Sequence, residues 1–418
     1  MSSHQIVGLF ADLALIALLA RALGMLARRF DQPAVVGEIL AGILLGPTFV
    51  HGAISGALFP ADVRPLLTAL ADVGVALFMF VVGLDFEPAT LGGRRRVAVT
   101  VALGAMVLPF GLGCLLAVVL APEHAHGQQL GFVLFLGAAM AVTAFPVLAR
   151  IINDRHMSRT SVGGLALSAA ALGDLLAWSL LAVVVMLVSG SGQTGWHLLL
   201  LVPYAVLMVA VVRPLVRRLV VARQGDGGLD HWVLVVMAGG ALVSGALTEW
   251  MGLHFIFGAF FFGLLVPKDG LGRFRADLRA RVEQLPSALL LPVYFVVAGL
   301  GVDLSHVDAS MLTVFALILV AAVGGKLVGT FATARSCRIP PRQAAALATL
   351  MNTRGLTELV ILTVGLQLGV LDGELYSLMV VMAVLTTVMT GPLLRLIYPL
   401  SRIAAETTAD ERRQPAHD

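Results

Sequence analysis

The chain has 418 residues, of which 59% are hydrophobic and only 13% charged, with a formal net charge of +3. A water-soluble domain carries about 25% charged residues, and a folded surface of this size needs polar cover that the chain does not have. A soluble globular protein is therefore excluded, and lipid must solvate the exterior. Two cysteines, Cys114 and Cys337, lie far apart in an apolar run and a basic loop, so neither a disulfide framework nor a metal site is expected. Met1–Gln5 hold no Lys or Arg and no A-x-A-like site follows, so the first apolar run reads as a retained helix rather than a cleaved leader. No cofactor and no nucleic-acid partner is expected.

The apolar residues fall in runs of roughly 20, the length an α-helix needs to cross about 30 Å of hydrocarbon, without the period-two alternation of a membrane barrel. Hydropathy and punctuation place crossings near 5–27, 33–49, 64–84, 97–121, 129–151, 160–189, 196–221, 231–248, 252–267, 286–301, 309–333, 343–369 and 374–399. The second, ninth and tenth are short or broken by Gly and Pro. Residues 1–400 form the membrane domain, and 401–418 read as a short polar tail too poor in apolar residues to order itself.

The loops give an independent check. Arg28 and Arg29 follow the first crossing, Arg94–Arg96 the third, Arg150, Arg155 and Arg159 the fifth, and Arg217, Arg218 and Arg223 the seventh. Lys268 and Arg273–Arg281 follow the ninth, and Arg335, Arg338 and Arg342 the eleventh. Loops after the even crossings are almost free of Lys and Arg, with Arg64 the exception. Positive charge marks the cytoplasmic side. The N-terminus is thus expected outside and the tail inside.

Crossings one to six and eight to thirteen form two sets of six with the seventh as linker, so the second set enters inverted. The fifth member of each set is interrupted: GAAMAVTAFPVLAR contains Thr143 and Pro146, and LMNTRGLTEL contains Asn352, Thr353, Arg354 and Gly355. Interrupted segments at matching positions of inverted halves point to a binding site at the membrane midplane. The fold class expected is an all-α polytopic membrane protein with about thirteen transmembrane helices in two inverted repeats.

Ionisable groups in hydrocarbon each need a reason. Asp174, in LSAAALGDLLAW, lies near the middle of the sixth crossing and can hold a proton or a partly dehydrated monovalent cation, but hardly both. Lys326, in AAVGGKLVGTF, is its natural charge partner, with Gly324 and Gly325 permitting close helix approach. Arg354 does not exchange protons; it is expected to neutralise half-helix ends or to hold Glu358 one turn on. Thr143, Asn352 and Thr353 offer neutral oxygens to a cation. Glu38, Asp72 and Glu249 lie near span ends and read as packing or funnel residues, and Ser168 as a helix–helix bond.

TAFPVLARIINDRHMSRTSVGGLALSAAALGDLLAW and MNTRGLTELVILTVGLQLGVL resemble the paired interrupted helices and acidic helix of the second branch of monovalent cation:proton antiporters, which includes the plant cation/H+ exchangers and bacterial Kef-type K+/H+ proteins. GEILAGILLGP, LFMFVVGLDF, GLHFIFGAFFFGLLVP and LPVYFVVAGL resemble further segments of the family, so the likeness covers about residues 1–400. The resemblance implies a thirteen-helix inverted-repeat fold with a scaffold and a mobile core, a homodimer, and antiport of K+ or Na+ against H+. It makes Asp174 the ion- and proton-binding carboxylate, Lys326 the core basic residue and Arg354 that of the interrupted helix. Two departures stand out: Gly173 occupies the place where relatives usually carry Asp, Asn or Gln, and the nucleotide-binding regulatory domain of Kef-type proteins has no counterpart, which argues against control by NAD or glutathione.

Other classes fit less well. An intramembrane aspartyl protease would need G-x-G-D and a Tyr-Asp pair; Ala171 stands at the first Gly position and no Tyr-Asp occurs. A channel-like K+ efflux system lacks a TVGYG-type filter. A transport-inactive membrane sensor is suggested by Gly173 alone.

Overall fold

The structure is a computed structural model that describes residues 2–48, 56, 58–85, 95–125, 129–155, 157, 160–189, 200–222, 230–267, 271–305 and 307–399. The expected tail 401–418 and the loop residues Arg94, Arg159, Arg223 and Lys268 lie outside these.

In chain order the helices are α1 (Ser3–Arg29), α2 (Ala34–Leu45), α3 (Arg64–Asp85), α4 (Arg95–His124), α5 (Gln129–Ala141), α6 (Phe145–Asp154) and α7 (Ser161–Ser189). Then come α8 (Leu201–Leu207), joined by a π turn at Met208–Val212 to α9 (Arg213–Ala222), followed by α10 (His231–Trp250) and α11 (Phe255–Leu265). Next, α12 (Gly272–Leu285) runs through a second π turn, Pro286–Leu290, into α13 (Leu291–Leu300). The last four are α14 (Ala309–Ser336), α15 (Pro341–Met351), α16 (Leu356–Gln367) and α17 (Gly373–Ile397).

Among the described residues nine helical stretches are long and apolar enough to cross a bilayer, and shorter apolar helices occupy Ala34–Leu45, Phe255–Leu265 and Leu356–Gln367. Each expected crossing lands on helix. The tenth needs correction: hydropathy starts it near 286 and leaves Arg273–Arg281 in a loop, whereas helix begins at Gly272. Leu278 and Val282 are buried on one face of that basic stretch, which is enough to keep it helical. Helix starts follow local chemistry. Asp230, Asp308 and Asp372 precede α10, α14 and α17, and their carboxylates accept N–H groups of Trp232 at 3.1 Å, Met311 at 2.8 Å and Leu375 at 2.8 Å.

The chain divides into two compact units. One comprises Met1–Arg21, Leu44–Glu87 and Ala182–Leu300; the other comprises Ala22–Ile43, Pro88–Leu181 and Gly301–Asp418. In the first, α3 packs against α11, with Gly83 against the Phe260 carbonyl and Gly263 against the Phe80 carbonyl. Ser244 of α10 donates to Gly258 O at 2.6 Å, and Phe80, Phe262, Met237 and Leu278 belong to one buried cluster.

In the second unit α4 packs along α14. Gly104 and Gly329 face each other, and a Cβ on Gly104 would lie 2.8 Å from Gly329 O. Gly325 lies against Pro109, where a Cβ would come within 2.8 Å of Pro109 Cα, whereas Gly324 has open space. Of the two glycines before Lys326, only Gly325 serves close approach. This packing fixes the Lys326 face of α14 beside α5, because α5 packs on the same α4.

Backbone-to-backbone contact leaves no room for a branched side chain at the Gly104–Gly329 crossing. Gly329→Val is expected to cost about 1–3 kcal/mol and to lower the unfolding temperature of the solubilised protein. Gly324→Ala should leave it within a degree or two of wild type, about the resolution of such melts. Equal melting of the two variants would contradict the packing assignment.

Candidate functional site

The site lies in the second unit, where two interrupted helices meet. The break between α5 and α6 spans residues 142–144. Ala144 is extended there, and Pro146, without an N–H to donate, sits in the first turn of α6. The break between α15 and α16 spans 352–355. Gly355 is extended, and a Cβ on it would come within 2.6 Å of Val147 Cγ2, so a side chain would push α6 away. The breaks bond to each other: Ala144 N–H donates to Thr353 O at 3.0 Å, and Thr143 Oγ1 donates to Met351 O at 3.0 Å.

Two cations close the C-terminal end of α5. Lys326 Nζ donates to Ala141 O at 2.5 Å and to Thr143 Oγ1 at 2.6 Å. Arg354 donates from Nη1 to Ala139 O at 3.0 Å and from Nη2 to Met140 O at 2.8 Å. Three terminal carbonyls without intrahelical partners are thereby satisfied, and positive charge sits at the negative end of the helix dipole.

Two acids occupy the opposite ends. The Asp174 carboxylate, on α7, faces the backbone N–H of Phe145 at the start of α6. Glu358 lies in the first turn of α16, and its Oε1 accepts from Arg354 Nη1 at 2.7 Å. Asp174 is 5% exposed, Lys326 1%, and Arg354 and Glu358 0%. At that burial the four charges must balance one another, and when all are ionised they sum to zero.

Several sequence expectations are sharpened. Arg354 both neutralises a half-helix end and holds Glu358, the two roles left open above. Lys326 is bonded to Ala141 and Thr143 rather than directly to Asp174, because the bare carbonyl at the end of α5 lies within its reach; the Lys326 and Asp174 charges still act on each other electrostatically. The Thr353 hydroxyl donates to Leu350 O at 2.7 Å and so closes α15. Asn352 is 1% exposed, with neither its Oδ1 nor its Nδ2 hydrogen-bonded. Asp174 Oδ1 and Glu358 Oε2 are likewise unpartnered.

Thr387 is a site residue that the sequence does not single out. Its hydroxyl accepts the Arg354 N–H at 3.1 Å and lies 2.7 Å from Arg354 O, clasping the break from α17. The signal was the set Thr386, Thr387 and Thr390 in an otherwise apolar run, all buried here. Ser168 Oγ donates to Gly164 O of its own helix at 2.8 Å rather than to a neighbouring helix, and Glu249 Oε2 accepts the Phe255 N–H at 2.8 Å. Beside Asp174, a Cβ on Gly173 would meet nothing within 4 Å, so packing does not force glycine there.

Buried charges fastened to broken helices narrow the choice of protein class, and comparison with known proteins decides it. The sodium/hydrogen exchanger transmembrane family matches residues 14–398. This chain belongs to that family. As a member of the sodium/hydrogen exchanger family it is an integral membrane protein. It is 37% identical to the Na(+)/H(+) antiporter NhaS4 of Synechocystis over 409 residues, covering 96% of this chain and 99% of that protein. It is 37% identical to cation/H(+) antiporter 20 of Arabidopsis thaliana (94% of this chain, 49% of that protein) and 33% identical to K(+)/H(+) antiporter 1 of Saccharomyces cerevisiae (88% and 44%). The chain thus spans about half the length of these plant and yeast relatives. The sodium proton antiporter MjNhaP1 of Methanocaldococcus jannaschii shares the fold, with a TM-score of 0.66 at 16% identity over 95% of this chain and 99% of that one.

Thr143 is the hinge of the local network, accepting from Lys326 and donating to Met351. Thr143→Val should destabilise the protein by about 1–2 kcal/mol, read as a lower unfolding temperature, while Thr143→Ser should retain most of it. Arg354→Lys should sharply reduce folded yield, since one ammonium cannot replace a planar fork that serves three acceptors. Unchanged melting of Thr143→Val would contradict the network.

Proposed function

We propose that this chain is a secondary active antiporter that exchanges a monovalent cation, K+ or Na+, for H+ by alternating access. The observation that carries the reading is the unpartnered Oδ1 of Asp174, a buried carboxylate at the positive end of a half-helix that balances the charges of Lys326, Arg354 and Glu358 when ionised. Family membership, and relatives named as cation/H+ antiporters, support the same reading.

In the proposed cycle Asp174 holds either a proton or a cation. A proton neutralises the carboxylate and removes the attraction for the cation; a cation takes the oxygen the proton needs. Asn352, with both amide atoms unspent, and Thr143, whose hydroxyl also receives Lys326, supply neutral oxygen close to the breaks. Thr353 is the weaker contributor, its hydroxyl hydrogen being committed to Leu350 O. Lys326 and Arg354 keep the half-helix ends closed while the charge at Asp174 changes, and Lys326 can release its proton when a cation replaces one on Asp174. Glu358 holds Arg354 in place. If the site faces either side only when occupied, the two fluxes are coupled.

The same proposal places the N-terminus outside and the C-terminus in the cytoplasm of a plasma membrane, from the arginine distribution, and assembles the chain as a homodimer. Its chemistry is transport rather than catalysis.

The test is proton-coupled flux in proteoliposomes with an imposed pH gradient. Wild type should dissipate the gradient on addition of K+ or Na+ but not choline, and Asp174→Asn should abolish this. Because proton and cation compete for one carboxylate, the cation concentration for half-maximal flux should rise as pH falls, approaching about tenfold per pH unit once protonation dominates. Cation-dependent proton movement that survives in Asp174→Asn would reject the assignment.

A further inference from the structure

The second unit carries another polar feature, remote in sequence from Asp174. A cavity of about 430 Å³ opens between the end of α1, the end of α6 and the last turns of α17. Four arginines, Arg28, Arg150, Arg155 and Arg395, line it with only two acids, Asp31 and Asp154, a formal excess of two positive charges. A second cavity of about 420 Å³ shares Asp31, Gln32, Gly391 and Arg395 with the first and adds Phe30 and Leu396. A cleft with this charge repels cations, so it does not suit the entry path of the transported ion.

The arginines are unequally compensated. Arg395 pairs with Asp31, and Arg150 reaches Asp154 at a long 3.7 Å. Arg155 is half-buried, and its bond is to a neutral group, Gly391 O at 2.9 Å; burial holds its guanidinium below the ordinary pKa. A desolvated guanidinium with no carboxylate bonded to it among the described residues favours an external anion. The rim differs in character: Phe30 is 69% exposed and Leu396 82%, and the neighbouring Met25 and Leu26 of α1 are also exposed.

We propose that this cleft binds a phosphate-bearing anion, with the headgroup phosphate of an anionic phospholipid as occupant. Guanidinium forks match phosphate oxygens bidentately, and basic pockets between helices on the cytoplasmic side suit anionic headgroups. The apolar rim would carry acyl chains, which a free phosphate compound does not need. Assignment to the inner leaflet rests on the orientation proposed above; the binding itself does not depend on antiport. The phosphate would tie together the end of α6, whose first residue faces Asp174, and α17, whose Thr387 lies one turn before Gly391 and clasps Arg354.

The test is binding to the purified full-length protein. Unfolding temperature and lipid retention by native mass spectrometry are followed with phosphatidylglycerol, with phosphatidylcholine, and with soluble glycerol phosphate. Wild type should gain stability and retain lipid with phosphatidylglycerol alone. Arg28→Gln/Arg155→Gln should weaken that binding by about tenfold or more, while Arg217→Gln/Arg218→Gln on α9 should leave it unchanged. A gain with glycerol phosphate that is also lost in the double variant would keep the phosphate site and name a soluble source. Phosphatidylglycerol binding undiminished in the double variant overturns the proposal. Should the double variant fail to fold, the exposed Arg28→Gln alone carries the same test.

Discussion

Two helices of this protein are broken inside the membrane, and backbone groups at the breaks have no water to turn to. In hydrocarbon every such group must be satisfied from within the protein. The C-terminal carbonyls Ala139, Met140 and Ala141 take Arg354 and Lys326; the start of α6 faces Asp174; the first turn of α16 holds Glu358. The sign of each charge suits the dipole end it meets. Buried ions that look costly one at a time are thus the means by which the breaks can exist.

The same arrangement determines where chemistry remains available. Arg354 is committed to three acceptors and clasped through its backbone by Thr387, and Lys326 to two oxygens. Asp174 Oδ1 and the Asn352 amide are uncommitted. On the proposed reading, a cation arriving at Asp174 adds charge to a balanced, desolvated set. Loss of the Lys326 proton restores the balance, and where Asp174 starts protonated the cation displaces that proton with no change of net charge. Competition at the site then follows from electrostatics, and the two fluxes are coupled if the site changes sides only when occupied.

Much of this is legible in the sequence because membrane physics writes long, redundant signals. Twenty-residue apolar runs and alternating arginine loops mark the crossings, and an acid in an apolar run such as Asp174 stands out. The i,i+4 spacing of Arg354 and Glu358 suggests a contact that is present at 2.7 Å. What stays hidden is made by backbone. Nothing in the residue types says that Lys326 meets the Ala141 carbonyl rather than the Asp174 carboxylate, because the acceptor exists only once α5 ends at that residue. The start of the α12–α13 crossing is misread because four arginines outweigh the spacing of Leu278 and Val282 in a hydropathy sum. Thr387 looks like one of many membrane threonines until the Arg354 break is laid against it.

On the proposed reading, proton and cation compete for one buried carboxylate, that of Asp174. Purified protein in weakly buffered detergent solution, titrated with K+ or Na+ while free proton concentration and bound cation are followed together, tests it directly. Cation binding is expected to release protons, and Asp174→Asn to lose both the binding and the release. Saturable cation binding with no proton release at any pH would contradict it.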